Sequence, residues 1–296
     1  MTDRPAAPQP EYLTVRELAE LLRLKERKIY DLAASGEVPC SRATGKLLFP
    51  AREIRAWIAQ ESSGAGAASG PRPPIFLGSH DPLLDWAIRQ SRCGLATFFD
   101  GSLDGLDRFR AGEGVAAGLH LYDGAADDWN VPKVAQDCAG RNAVLVAFAK
   151  RQRGLVTRVG GPRVQHLSDL LGCRIAPRQP ESGSDALFRH LAAQEGVDPD
   201  KLDLAPVARS ETEAVQSVAR GEADATFGME AVARDFGLEF VPVMEEGFDL
   251  LVDRRAWFEP QMQALMAFCY SDMFRDRAAM MGGYDVTGLG TVRWNG

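Results

Sequence analysis

The chain has 296 residues, 45% of them hydrophobic, enough to bury a large core in two or three domains. No run reaches the roughly 18 apolar residues of a membrane span, and the Pro-rich stretch Met1 to Pro10 lacks the apolar core of a signal peptide, so a cytoplasmic location without a membrane partner is expected. The net charge of −7 is unevenly spread: Tyr12 to Gln60 holds 9 basic and 6 acidic residues, leaving −10 for the remainder, which points to a polyanion partner for one part only.

Residues 1–11 read as a flexible tail. Thr14-Val15-Arg16-Glu17 has the capping-box pattern and opens a helix with Leu18, Leu21 and Leu22 on its apolar side. After a break near Leu24-Lys25, a second helix runs from Arg27 to Ala34 and stops at Ser35-Gly36. Two short helices joined by a tight turn, the second rich in Arg, Lys and Tyr, make a helix-turn-helix layout. Val38 to Phe49 then reads as a β-hairpin with basic residues at its tip, and Arg52 to Ile58 as a closing helix. The order Leu-Thr-Val-x-Glu-Leu-Ala-x-Leu-Leu, Ile-Tyr-x-Leu, Gly-x-Val-Pro, basic wing, Glu-Ile-x-x-Trp-Ile resembles the excisionase and MerR-type winged helix-turn-helix family. The resemblance covers residues 12–60. It implies that Arg27, Lys28 and Tyr30 face the major groove of operator DNA, and that Arg42 and Lys46 reach the backbone or minor groove from the wing. Lys25-Glu26 departs from the Ser or Thr cap common in that family.

Residues 61–74 are Gly, Ala and Ser followed by Pro-Arg-Pro-Pro, a linker spanning roughly 20 Å on a flexible-chain estimate. From residue 75 to 296 strands and helices alternate. Strands are expected at Ile75–Gly78, Leu95–Phe99 (buried), Val115–Tyr122, Ala143–Lys150, Gly154–Val159, Cys173–Ala176, Leu204–Ala208, Ala223–Phe227, Leu238–Val243 and Phe248–Val252. Helices are expected at Leu83–Arg92, Ser102–Arg110, Val164–Leu171, Ala186–Glu195, Glu211–Arg220, Glu230–Phe236 and through Glu259–Met281. Tyr284 to Gly296 carries no assignable pattern. Such alternation is a doubly wound α/β architecture, long enough for two lobes around a cleft.

The stretch Asp100-Gly101-Ser102 lies where a strand ends and a helix begins, with Ser102 as candidate N-cap. That place offers free N–H groups, a hydroxyl and a positive helix end to an anion. Similar strand ends recur at Gly78-Ser79-His80-Asp81, Gly118-x-His120 and Ser182-Gly183-Ser184. With Arg153-Gly154-Leu155, Gly221-x-Ala223-Asp224-Ala225 and Leu238-x-Phe240-Val241-Pro242-Val243, the set resembles the periplasmic-binding-protein-like domain related to molybdate and tungstate receptors. The resemblance covers residue 75 to about 252 and implies a two-lobed type II fold closing on a small oxyanion, molybdate or tungstate. Where that family has Gly-Ser-Gly-Thr-Arg, this chain has Glu181-Ser182-Gly183-Ser184-Asp185.

Candidate ligand-binding residues are therefore Ser79, His80, Gly101, Ser102, His120, Ser182, Gly183 and Ser184, with Gly228 and Met229 from the opposite lobe. Each Ser or Gly taken singly reads as a helix cap or turn residue, and it is only their recurrence at successive strand ends that favours a site. Neutral donors at helix ends suit a fully deprotonated oxyanion. Phosphate, which keeps a proton near neutral pH, wants an acceptor, and Asp81, Asp104, Glu181 or Asp185 would supply it unless they cap helices. Tyr122, Trp129, Asn130 and Phe248 either belong to the core or line a larger pocket for an organic ligand such as molybdenum cofactor. No nucleophile and base pair stands out, so no catalytic residue is expected. The scattered Cys40, Cys93, Cys138, Cys173 and Cys269 match no zinc spacing, and no metal or cofactor is expected. The reading is a one-component transcription regulator, homodimeric because a monomer has a single reading head.

Overall fold

The computed structural model describes residues 11–22, 24–42, 45–54, 57, 71–180 and 182–296. The tail through Pro10, linker residues 61–70, part of the closing helix and Glu181 lie outside the described residues. The chain divides into two compact units, Met1–Gly70 and Pro71–Gly296.

In the first unit, strand β1 (Tyr12–Thr14) leads into helices α1 (Val15–Leu22) and α2 (Glu26–Ala34), followed by β2 (Leu48–Pro50). The capping box forms as the spacing requires. Thr14 N donates to Glu17 Oε2 at 2.8 Å, and Glu17 N donates to Thr14 Oγ1 at 3.3 Å. Leu18, Ile29, Phe49 and Ile54 are fully buried and form the core of the unit. Helix α2 has Lys25 at its N-cap position, with no side-chain cap, and ends before Gly36, whose φ of +73° few other residues tolerate. The wing differs from expectation. Among the described residues the hairpin reduces to one antiparallel bridge, Ser41 to Leu48, and β2 pairs with β1 instead. Pro39 has no N–H for a longer ladder, and pairing with β1 seats Phe49 in the core.

The second unit begins with β3 (Ile75–Gly78), α3 (Pro82–Ser91), β4 (Ala96–Phe99), α4 (Ser102–Ala111) and β5 (Ala116–Leu119). Next come β6 (Tyr122–Asp123), β7 (Asp128–Trp129), α5 (Val131–Asp137) and the long β8 (Ala143–Thr157). The second lobe holds β9 (Arg174–Ala176), α6 (Gly183–Gln194), β10 (Asp203–Leu204), α7 (Glu211–Arg220), β11 (Ala225–Met229) and α8 (Glu230–Asp235). The chain returns through β12 (Glu239–Asp253), α9 (Arg254–Trp257), α10 (Pro260–Cys269) and α11 (Asp272–Met281), and ends with β13 (Tyr284–Asp285) and β14 (Val292–Asn295).

One sheet runs through both lobes in the order β10-β9-β11-β8-β12-β5-β3-β4, with β13 and β14 also on β8. The antiparallel pair β8 and β12, 15 residues each, joins the lobes. One core packs around Phe76, Leu84, Phe148, Phe248 and Phe274, another around Leu155, Ile175, Leu187 and Phe227.

Several expected elements are corrected. Strands β8 and β12, each expected as two strands broken by charged residues, are continuous because those charges pair with one another. Strand β4 is the sheet edge and exposes Ala96, Thr97 and Phe98, so it is not the buried strand its apolar run suggests. The strand expected through Tyr122 stops at Leu119, and the helix expected at Val164–Leu171 is a single 3₁₀ turn, Leu167–Leu170. The unassigned C-terminal stretch adds two strands to β8.

Candidate functional site

Three strand ends of the first lobe meet closely. Gly78 ends β3 with φ +96°, and a Cβ at Gly105 or Gly78 would collide with the backbone of Gly78 or Gly118 respectively. This approach brings Ser79 Oγ to 2.8 Å from Ser102 Oγ, and His120 N donates to Ser102 Oγ at 3.0 Å. Both hydroxyls are buried. The N-cap of α4 is Gly101, with φ +110°, and Ser102 is the first helical residue. The hydroxyl therefore does not cap its own helix but ties the ends of β3 and β5 together. Asp81, not Ser79, caps α3, accepting from Leu84 N at 2.7 Å.

From the second lobe, Ser182 caps α6 by accepting from Asp185 N at 3.1 Å. Gly183 lies against His120, where a Cβ would come within 2.8 Å of the His120 carbonyl oxygen. Ser184 Oγ donates to Glu211 Oε2 at 3.4 Å. Ser79, Ser102, His120, Gly183 and Ser184 thus gather where the lobes touch.

Behind them runs a ladder of buried charges that sequence reasoning missed. Arg151 pairs with Asp81 at 2.9 Å and with Glu246. Arg153 Nε lies 2.6 Å from Glu246 Oε2, and its NH1 lies 3.1 Å from Glu211. Arg178 meets Glu211 at 3.0 Å, and Tyr284 OH donates to Asp81 at 2.8 Å. Arg151 and Arg153 are only 1% exposed and Glu246 is 0% exposed, so each charge depends on its partners for solvation. Three cations face three carboxylates. Burial brings Arg153 down to about 10. Burial pushes Glu211 up, yet Arg153, Arg178 and Arg151 together hold it below the usual carboxylate range. His120 Nδ1 faces Glu246 Oε2 at 3.2 Å. Burial first, then Arg151, Arg153 and Arg178, keep His120 well below the ordinary histidine range, so it is neutral. One signal for the ladder was legible: the basic break Lys150-Arg151-Gln152-Arg153 in one apolar stretch is complementary to the acidic break Glu245-Glu246 in another.

Other candidates lie elsewhere. His80 is exposed, edge-on to Phe99 at 5.6 Å between centroids, because Asp81 takes the cap and points inward in its place. Met229 is core, packed with Val156, Val215 and Val232, while Gly228 lies beside Glu211. Asp104 pairs with Arg108 at 2.7 Å and Asp185 with Arg189 at 2.8 Å, so neither is a free acceptor. Phe248 is core, with Arg151 stacked 4.3 Å from its ring centroid. Asn130 is buried and structural: Oδ1 accepts from Leu121 N at 2.6 Å, and Nδ2 donates to Asp249 at 2.8 Å. Tyr122 contacts Trp129 and His190. With Leu121, Gly124, Gly183 and Leu187, Tyr122 and His190 line a cavity of about 250 Å³ beside the site. Among the described residues no His, Cys, Asp and Glu group is arranged to hold a metal ion.

In the first unit, Arg27, Lys28 and Tyr30 are exposed on α2, whose opposite face buries Ile29, Leu32 and Ala33. Arg42 and Lys46 are exposed as well. No helix among the described residues is long and apolar enough to cross a membrane.

A single sheet curling through two lobes, with helix N-termini of both converging at their junction, defines a binding body of the periplasmic-binding-protein kind, here preceded by a helix-turn-helix head. The chain belongs to the PBP superfamily domain family, which it matches over residues 86–270, and it matches the helix-turn-helix domain over residues 12–62. Its relatives include the uncharacterised Bacillus subtilis protein YvgK, 24% identical over 94% of this chain and 96% of that one. A Clostridium pasteurianum protein encoded in the 5′ region of a 2Fe-2S ferredoxin gene is 27% identical over 33% of this chain and 88% of its own. Similar solved structures include a substrate-binding protein assigned to a phosphate ABC transporter of Clostridium perfringens, with bound phosphate (13% identity, 74% of this chain, 99% of that one, TM-score 0.52). A cysteine-to-serine mutant of Corynebacterium glutamicum OxyR with bound H2O2 is similar over 90% of this chain and 89% of that one (13% identity, TM-score 0.51). At such identities these likenesses show the fold.

Proposed function

We propose that this protein is a one-component transcriptional regulator that reads operator DNA through its helix-turn-helix unit and senses a small oxyanion, with molybdate and tungstate the first candidates. The observation that carries this reading is the convergence of Ser79, Ser102 and the α6 N-terminus at Gly183-Ser184 on His120. Hydroxyls and helix-end N–H groups held in a buried junction suit an anion stripped of water. Lobe closure around the ligand would shift a pre-existing equilibrium and, in a homodimer, reset the spacing of two recognition helices against operator half-sites. Calorimetric titration of the full chain with molybdate, tungstate, sulfate and phosphate tests this, and no heat with any of the four overturns it.

A second reading, an organic ligand such as molybdenum cofactor, is favoured by the cavity lined by Tyr122 and His190 next to Gly183. Binding of that cofactor in the absence of any response to the inorganic anions would decide for it.

A further inference from the structure

Among the described residues, the charges of the buried ladder balance. Arg151, Arg153 and Arg178 are matched by Asp81, Glu246 and Glu211, so a dianion entering there finds, among the described residues of the ladder, each cation already paired. A buried charge without compensation is costly. The compensating charge must come from displacing a carboxylate or from a proton. Displacing Glu246 would strip Arg151 and Arg153 of a partner held at full burial.

Among the described residues that contact the ladder, His120 is the neutral group that can become a cation. His120 touches both lobes: its backbone N–H reaches Ser102 of α4, its ring lies against Gly183 of α6, and the ring is stacked on Phe248 of β12 at 6.1 Å between centroids. The titratable and charged groups around it are Glu246 from β12, at 3.2 Å from Nδ1, Arg151 and Arg153 from β8, and Arg178 from the loop before α6. Asp81 and Glu211 stand one step further along the ladder.

We infer that His120 is the counter-ion of the ligand: a dianionic oxyanion bound between Ser102 and Gly183 draws one proton from solvent onto the imidazole, so that ligand and proton bind together. The inference rests on the oxyanion reading and deepens it. With Nδ1–H donated to Glu246, the added proton goes to Nε2, and the imidazolium then lies between Glu246 and the ligand. Burial first, and the three guanidiniums after it, keep the ring neutral; an anion beside the imidazole opposes both, and protonation becomes favourable only when the ligand is present.

The test is calorimetric titration of the full chain with sodium molybdate at pH 7.5 in buffers of different ionisation enthalpy, repeated from pH 7 to 9. The expected slope of observed enthalpy against ionisation enthalpy is about one proton taken up per ligand, with affinity falling about tenfold per pH unit. His120→Gln should bind more weakly, with the slope and the pH dependence both lost. Asp249→Asn, which removes the other buried titratable group on β12, should keep the slope. Binding with zero slope and no pH dependence overturns the inference while leaving the oxyanion reading intact. A slope that persists in His120→Gln also overturns it. Absence of binding by any of the four anions overturns both.

Discussion

Arg151 and Glu246 stand directly opposite one another across the β8–β12 ladder, and their buried side chains pair. The pair sits where the strands that join the lobes pass the candidate site. Glu246 also serves Arg153 and His120, so one carboxylate fixes three groups.

Removing that carboxylate leaves two buried guanidiniums without it. Glu246→Gln should destabilise the protein by about 3–5 kcal/mol, read as a lowered urea midpoint. Its neighbour Glu245 pairs with the exposed Lys150, and Glu245→Gln should change stability by less than about 1 kcal/mol.

Ser102→Ala removes the acceptor of the His120 N–H and the partner of Ser79. A buried donor left unpaired costs about 1–3 kcal/mol. Anion affinity should fall as well, measured by calorimetry on protein shown to be folded by circular dichroism.

Gly183→Val places a branched side chain against the backbone of His120. Overpacking of about 1–3 kcal/mol is expected, and the lobes should relieve it by parting. Small-angle scattering should show a larger radius of gyration for the second unit, and ligand binding should weaken.

Burial raises the Asp249 carboxyl to about 6, and the hydrogen bond from Asn130 opposes this only in part. In the unfolded chain an aspartate titrates at about 4. Between those values the folded state holds the extra proton, so this group makes stability fall as pH rises from about 4 to about 6, with the full penalty above about 6. Asp249→Asn should flatten that part of the profile and be more stable than the parent at pH 7 by about 3 kcal/mol, measured as the difference of urea midpoints against pH.

Arg27→Ala and Lys28→Ala remove exposed cations from α2. Each should weaken operator binding and lower the salt slope by about one, read by gel shift at several salt concentrations. Anion titration should be unchanged.

What the sequence determined was local. The capping box at Thr14 and Glu17, the buried stripe of α1 and α2, and the strand-to-helix turns at Gly78, Gly101 and Ser182 follow from residue order, because caps, turns and apolar spacing act over a few residues. From these the helix-turn-helix head and the α/β body were legible, and so was the recurrence of serine at strand ends. What only the tertiary structure decided was which groups meet. Arg151 and Arg153 read as a break between strands, yet they lie inside one strand because Asp81, Glu246 and Glu211, distant in sequence, supply their counter-charges. His80 and His120 both follow strand ends, but one faces solvent and the other is sealed between lobes. Periodicity records whether a residue is apolar, not whether a distant partner will make a charge tolerable inside, and so the buried charge ladder behind the candidate site stayed hidden until the fold brought its partners together.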